Sequence, residues 1–108
     1  MIDFSKLQKE IMDNRKKKGF GNDIPSDFCR AYEELSEAFS KYNKGQPGIA
    51  EEFADVIIFL LGMSHNLGFN LEKELVDKIE KNKKRKYKKE KTPEGKDIFI
   101  RIKTPEDP

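Results

Sequence analysis

Apolar residues recur at intervals of three and four positions along four stretches of the chain, and this periodicity predicts four helices. The first helix is expected over about residues 3–18. The second is expected to begin at Ser26 or Asp27, directly after Pro25, because serine and aspartate are favourable N-caps. Its apolar positions over 28–42 have the most regular helical spacing in the chain, so one face of this helix should be apolar.

The third predicted helix, over about 49–67, contains the six-residue run Val56–Leu61, which is apolar on every side of a helical wheel. Such a helix has to be surrounded by other apolar groups, and one small chain supplies few of them, so a dimer is expected. The fourth helix should begin after Asn70 and continue through a strongly basic stretch, 78–91. The apolar segment Ile98–Ile102 is compatible with a short strand or with a flap.

Length and composition exclude several classes of protein. The chain has 108 residues, enough for one domain, and 39% of them are charged. The net charge of +2 does not indicate general attraction to nucleic acid or membranes, and a single cysteine excludes an internal disulfide. The N-terminus lacks the pattern of a signal peptide, and the longest apolar run is far shorter than the ~20 residues of a membrane span. We therefore expect a soluble, cytoplasmic protein.

Two pairs of carboxylates are the candidate chemistry of the sequence. Glu34 and Glu37 lie three residues apart on the second helix, and Glu52 and Asp55 do so on the third, so each pair shares a helical face. If the two helices pack side by side, four carboxylates converge and repel each other unless cations lie among them. Hard oxygen ligands favour Mg²⁺ or Mn²⁺. The alternative from spacing alone is two acidic faces that are merely solvated.

The residues around these pairs carry a resemblance to a known family. Glu33-Glu34-Leu35-Ser36-Glu37 is followed, after fourteen residues, by Glu52-Phe53-Ala54-Asp55-Val56. This arrangement resembles the EExxE…ExxD signature of the all-α nucleoside triphosphate pyrophosphohydrolases, the MazG-like family. The resemblance covers about residues 5–88 and implies an all-α fold of the four-helix-bundle type. It leads us to expect a MazG-like helical domain over 1–90 and a short irregular or β-like C-terminal tail over 91–108.

The resemblance also implies an activity and a set of site residues. Members of the family cleave a nucleoside triphosphate between the α and β phosphates, giving a monophosphate and pyrophosphate, with Mg²⁺ as cofactor; Mn²⁺ is a possible substitute. Such an enzyme acts in housecleaning or in regulation of nucleotide pools. The implied metal ligands are Glu34, Glu37, Glu52 and Asp55. The implied catalytic carboxylates, one of which takes a proton from the attacking water, are Glu34, Glu37 and Glu33.

A later helix in the family carries a Lys, an Asn four residues on, then an Arg and a Tyr. Here the residues that match, and that the resemblance implies to bind substrate, are Lys78, Asn82, Arg85 and Tyr87. Two positions depart from the pattern: Lys86 is an extra residue before the tyrosine, and Lys88 replaces a common proline after it. Both departures lie next to the tyrosine, and neither affects the carboxylate motifs.

Two other functions remain open at this point. One is a non-catalytic, dimeric regulatory bundle that keeps the fold without turnover. The other is a nucleic-acid-binding helical module that uses the basic stretch 78–91, although the acidic region 26–55 would repel phosphate. The pyrophosphohydrolase is preferred, with a nucleoside triphosphate as substrate and a homodimer, or a dimer of dimers, as the assembly.

Overall fold

The computed structural model describes residues 2–103 and contains four helices followed by two strands. The fold is all-α with a short two-stranded tail, as predicted. The helices and strands, in chain order, are α1 (Phe4–Lys17), α2 (Ile24–Lys44), α3 (Ile49–Leu67), α4 (Leu71–Lys84), β1 (Lys86–Lys91) and β2 (Asp97–Ile102). Positions 104–108 of the predicted tail lie outside the described residues.

The start of α2 differs from the prediction. The N-cap is Asp23, whose side chain accepts a hydrogen bond from the backbone N–H of Ser26 at 3.2 Å, so Ser26 and Asp27 lie inside the helix. Pro25 is in the first turn, where a residue without an N–H loses no helical hydrogen bond. Placing the cap after the proline was therefore wrong, because a proline within the first turn is itself a helix-start signal.

The end of α4 also differs from the prediction. The helix stops at Lys84, and residues 86–91 form β1, which pairs antiparallel with β2. Tyr87 therefore lies in a strand, opposite Arg101, and not on a helix. A helix through this stretch would place lysines beside one another at successive turns, whereas β2, rich in β-branched and aromatic residues, needs a partner strand for its backbone.

The described residues form two compact units, one up to Leu71 and one from Glu72 onward. In the first unit α2 and α3 are joined by the loop 45–48 and pack against each other, and α1 packs against α3. In the second unit α4 is followed by the β1–β2 hairpin, which turns at residues 92–96. The division expected at residue 90 stays a prediction.

The apolar core of the first unit is small. Among the described residues the buried apolar side chains are Ala38, Leu61 and Met63, each at most 3% exposed. Three members of the apolar run of α3 are exposed by 41–51%: Ile57, Ile58 and Leu60. The three-helix unit thus does not surround this run by itself. Across residues 2–103, no single helix combines the length and apolarity needed to cross a membrane.

A buried ion pair links the three helices of the first unit. Arg15 Nη2 on α1 donates to both carboxylate oxygens of Asp27 on α2, at 3.0 Å each, and to the carbonyl oxygen of Gly21 at 2.7 Å. The guanidinium also lies against α3 at Gly62, where an added Cβ would be 3.0 Å from Nη1. Glycine therefore permits this close approach. Asp27 is only 4% exposed, so its charge depends on Arg15 for compensation.

We expect Asp27→Asn to lower the free energy of unfolding by about 2–4 kcal/mol, because it leaves the Arg15 guanidinium largely buried without its charge partner. The matched control is Asp77→Asn, which breaks the exposed pair between Lys73 and Asp77 on α4. That change should cost less than about 1 kcal/mol. Urea unfolding of both variants measures the difference, and equal losses would contradict a structural role for the buried pair.

Candidate metal centre

The α2–α3 hairpin brings the two acidic motifs together. Because α3 turns back along α2 after a loop of only four residues, 45–48, side chains near the end of α2 meet side chains near the start of α3. Carboxylate oxygens of Glu34, Glu37 and Glu52 lie within 4.8 Å of one another. We call these three residues the acidic cluster. The predicted convergence of the two helices is thus present for three of the four carboxylates.

Glu52 is the buried member of the acidic cluster, with 8% of its surface exposed. Its Oε1 accepts a hydrogen bond from Lys41 Nζ at 2.7 Å. With the three carboxylates ionised, its buried Oε2 accepts no hydrogen bond from any described residue. A buried carboxylate oxygen without a donor is costly unless a cation or proton satisfies it. The cluster therefore fits a hard divalent cation, both in the chemistry of its oxygens and in the unsatisfied position of one of them.

The crowding of carboxylates changes their proton affinities. A hydrogen bond between Glu34 and Glu52, together with partial burial and neighbouring negative charges, raises the pKa of Glu34 to about 7. The negative charge of Glu52 is the main cause that raises the pKa of Glu37. Hydrogen bonds from Glu34 and then Lys41 lower the pKa of Glu52. In the metal-free protein Glu52 thus carries the charge, and Glu34 shares a proton with it near neutral pH.

The other two predicted carboxylates lie at the edge of the acidic cluster. Asp55, half-buried and one turn beyond Glu52 on α3, is close enough for its charge to contribute to the raised pKa of Glu34. Glu33 is exposed and lies outside the group whose oxygens converge, but it lines the same cavity as Glu34. The roles of Asp55 as a ligand and Glu33 as a proton acceptor stay predictions.

The four predicted substrate-binding residues belong to the second unit. Lys78 and Asn82 lie one turn apart on α4, and Arg85 follows the end of the helix. Arg85 Nη1 donates to Asn82 Oδ1 at 2.7 Å, so these two side chains are held together. Tyr87 is 53% exposed on β1. Contact of these residues with a substrate stays a prediction.

Two cations on α2 escaped the sequence analysis. Arg30 and Lys41 flank Glu34 and Glu37 at spacings of four, three and four residues, so all four side chains form one stripe along the helix. The helical spacing alone was a sufficient signal for this stripe. Lysine and arginine are so abundant in this chain that two of them at helical spacing do not stand out in the sequence.

Two cavities adjoin along this stripe. The larger has a volume of about 740 Å³ and is lined mainly by apolar side chains of α1 and α3, whereas the residues of α2 in its wall are polar. The smaller, of about 490 Å³, includes Glu33 and Glu34 in its wall. Ser26, Arg30 and Phe59 line both. An apolar recess therefore lies next to an acidic one within the first unit, with a cationic side chain at their junction.

Comparison with known proteins identifies the class. The family model described as the MazG-like family matches residues 24–97, which is more than half of the chain. The chain therefore belongs to the MazG-like family, as its motifs predicted, and the match includes both helices of the acidic cluster. Searches of curated proteins and of solved structures returned no match.

The raised pKa of Glu34 predicts a pH dependence of stability. In the unfolded chain a glutamate titrates near 4.5, whereas folded Glu34 titrates near 7, so the folded metal-free protein binds more protons between these values. Its free energy of unfolding should therefore fall as the pH rises from 5 to 8. Glu34→Gln should flatten this decline, because the amide does not titrate.

Urea unfolding in EDTA at several pH values between 5 and 8 tests this. Glu51→Gln, at the exposed neighbour of Glu52 on α3, is the matched control and should keep the slope of the wild type. If Glu34→Gln and the wild type lose stability equally over this range, the proposed proton sharing within the acidic cluster is wrong.

Proposed function

We propose that this protein is a Mg²⁺-dependent nucleoside triphosphate pyrophosphohydrolase that cleaves a (d)NTP between the α and β phosphates, giving NMP and pyrophosphate. The observation that carries the proposal is the acidic cluster, with its buried and unsatisfied Glu52 oxygen, in a chain of the MazG-like family. A triphosphate bears about four negative charges and is repelled by bare carboxylates, so this site accepts it only together with divalent cations.

The residues that would hold the metal are Glu34, Glu37 and Glu52, with Asp55 as the fourth ligand. Bound Mg²⁺, or Mn²⁺ in its place, neutralises phosphate oxygens and makes a water molecule acidic enough to act as a nucleophile. The carboxylates of α2 and α3 fix the position of that charge because the two helices pack against each other.

The general base of the proposed reaction is a carboxylate beside the acidic cluster. The attacking water forms a bond to the α phosphorus, the bond from that phosphorus to the bridging oxygen breaks, and pyrophosphate leaves with the bond electrons. A carboxylate accepts the proton that the water gives up. Glu33 is exposed in the same cavity as Glu34 and accepts a proton without giving up a metal ligand, which makes it the preferred base over Glu34 and Glu37.

The larger cavity is the proposed place of the base and sugar. Its apolar lining suits the faces of a nucleobase, and the shared wall at Arg30 puts a cation between this recess and the acidic one. Substrate contacts of Lys78, Asn82, Arg85 and Tyr87 are proposed from the family pattern: cations for phosphate, and the asparagine amide for a sugar or base edge.

The assembly is proposed to be a homodimer or a dimer of dimers. Tyr32, Leu35, Phe39 and Tyr42 form an apolar stripe on α2 and are 52–71% exposed in the single chain. At 100° per residue this stripe lies roughly opposite the side that carries Glu34 and Glu37. Exposed apolar surface of this extent is typical of an interface, and a second copy supplies the apolar partner without covering the acidic cluster.

We expect metal-dependent release of pyrophosphate from at least one substrate in a panel of standard and modified (d)NTPs. Glu52→Gln should reduce the rate at least about 100-fold, since loss even of a group that only supports a metal ligand costs 10–100-fold. Glu51→Gln, the matched change one residue away, should stay within a few-fold of the wild type. Each variant is assayed with Mg²⁺ and with EDTA.

Release of single phosphate would contradict the proposed cleavage point. Turnover that persists in EDTA would contradict the metal requirement. Absence of turnover throughout the panel, in a protein that binds Mg²⁺, would favour the non-catalytic regulatory bundle.

Light scattering should give a mass of at least twice the 12.6 kDa of one chain. Phe39→Glu should shift the protein toward the monomer, because it places a charge in the apolar stripe. Lys44→Gln makes the same change in net charge on the other side of α2 and should leave the mass unchanged. A monomeric wild type would overturn the proposed assembly.

A further inference from the structure

Lys41 places a positive charge on the acidic cluster from within the chain. Its Nζ lies 2.7 Å from Glu52 Oε1. This hydrogen bond raises the pKa of Lys41 and, after the hydrogen bond from Glu34, contributes to lowering the pKa of Glu52. Lys41 lies one turn beyond Glu37 on the same stripe of α2, so its charge also acts on Glu37. Neither acidic motif contains this lysine.

The surroundings of Lys41 leave room for its ammonium. Gly48, the N-cap of α3, has φ of +105°, and a Cβ built there would lie 3.0 Å from Lys41 Nζ. The glycine therefore both permits the turn and leaves the space that the ammonium uses. The lysine side chain is 30% exposed, so part of it is in contact with solvent.

The two carboxylate oxygens of Glu52 differ in whether they accept a hydrogen bond. Oε1 accepts a hydrogen bond from Lys41, whereas the buried Oε2, with the three carboxylates ionised, accepts none within the part of the chain that the structure describes. A single ammonium thus compensates only part of the charge of the three carboxylates. A divalent cation carries twice the charge, but it would meet a like-charged ammonium at one of its proposed ligands.

We propose that Lys41 is an intramolecular counter-ion of the metal centre, which occupies Glu52 in the metal-free protein and competes with the divalent cation for it. This inference rests on the proposed function, since it assigns the acidic cluster to a metal. The lysine limits the repulsion between carboxylates before metal binds, and it lowers the affinity for the metal in return. Binding of the cation releases the ammonium from Glu52 toward solvent.

The test measures Mn²⁺ affinity by calorimetry at pH 8, without substrate, together with thermal unfolding in EDTA and in saturating Mn²⁺. Lys41→Met should bind Mn²⁺ at least about fivefold more tightly than the wild type, because a neighbouring like charge is removed. It should unfold at a lower temperature in EDTA, and Mn²⁺ should raise its unfolding temperature more than that of the wild type.

Two further variants make the result specific. Lys44→Met removes the same charge from the last turn of α2 at an exposed position, and it should leave both measurements as in the wild type. Lys41→Arg keeps the charge and should keep the Mn²⁺ affinity within about twofold. If Lys41→Met is too unstable to measure, Lys41→Gln provides the same loss of charge with a polar side chain.

The outcomes separate this inference from the proposed function. Unchanged or weaker Mn²⁺ binding in Lys41→Met, with binding intact in the wild type, overturns competition and makes the lysine a support for Glu52. An equal gain in Lys44→Met also overturns it, since the effect would then be one of net charge. If the wild type itself binds no Mn²⁺ and shows no Mn²⁺-dependent stabilisation, the metal centre of the proposed function fails, and the inference fails with it.

Discussion

Repulsion between carboxylates at the contact of α2 and α3 is the constraint on which the rest of the structure depends. Three negative side chains approach within 4.8 Å because the two helices pack through the face that carries them. The charge is balanced in part by a proton on Glu34, in part by Lys41 and, as we propose, by a divalent cation. These three forms of compensation act on the same group of carboxylates, so they are coupled: each of them reduces the negative charge that the others have to balance.

This packing determines which surfaces of the helices remain exposed. The stripe of α2 with Glu34 and Glu37 meets α3, so Tyr32, Leu35, Phe39 and Tyr42 on the other side of α2 are 52–71% exposed. Only three apolar side chains in the described part of the chain are buried, and a largely buried polar link between Arg15 and Asp27 connects α1 with α2. Because α2 packs against α3 through its acidic face, the unit has a polar site between these helices and an apolar stripe on its exterior. A second copy of the chain would convert that exterior into a core.

The proposed reaction needs no nucleophilic side chain, because a water molecule attacks the phosphorus and an ordinary glutamate accepts its proton. A polyanionic substrate needs cations, and carboxylates that converge from two packed helices determine where cations can lie. The adjoining apolar cavity offers a place for the base, with Arg30 at the junction of the two recesses. Phosphate chemistry and base recognition would thus be served by neighbouring parts of one three-helix unit, which fits a small protein with little material for a separate binding domain.

The sequence by itself determined the number of helices, the end of α3 and the membership of the family, because apolar periodicity and the two acidic motifs are local signals. It also predicted that Glu34, Glu37, Glu52 and Asp55 would converge if the two helices pack side by side, and the structure brings the first three together. The start of α2 and the strand at Tyr87 were missed, because they depend on cap geometry and on pairing with a distant segment. Only the tertiary structure decided that Lys41 holds Glu52, that Asp27 is buried against Arg15, and that the apolar stripe of α2 faces outward. Each of these depends on which faces of the helices meet, and helical periodicity reveals what a face contains but not what packs against it.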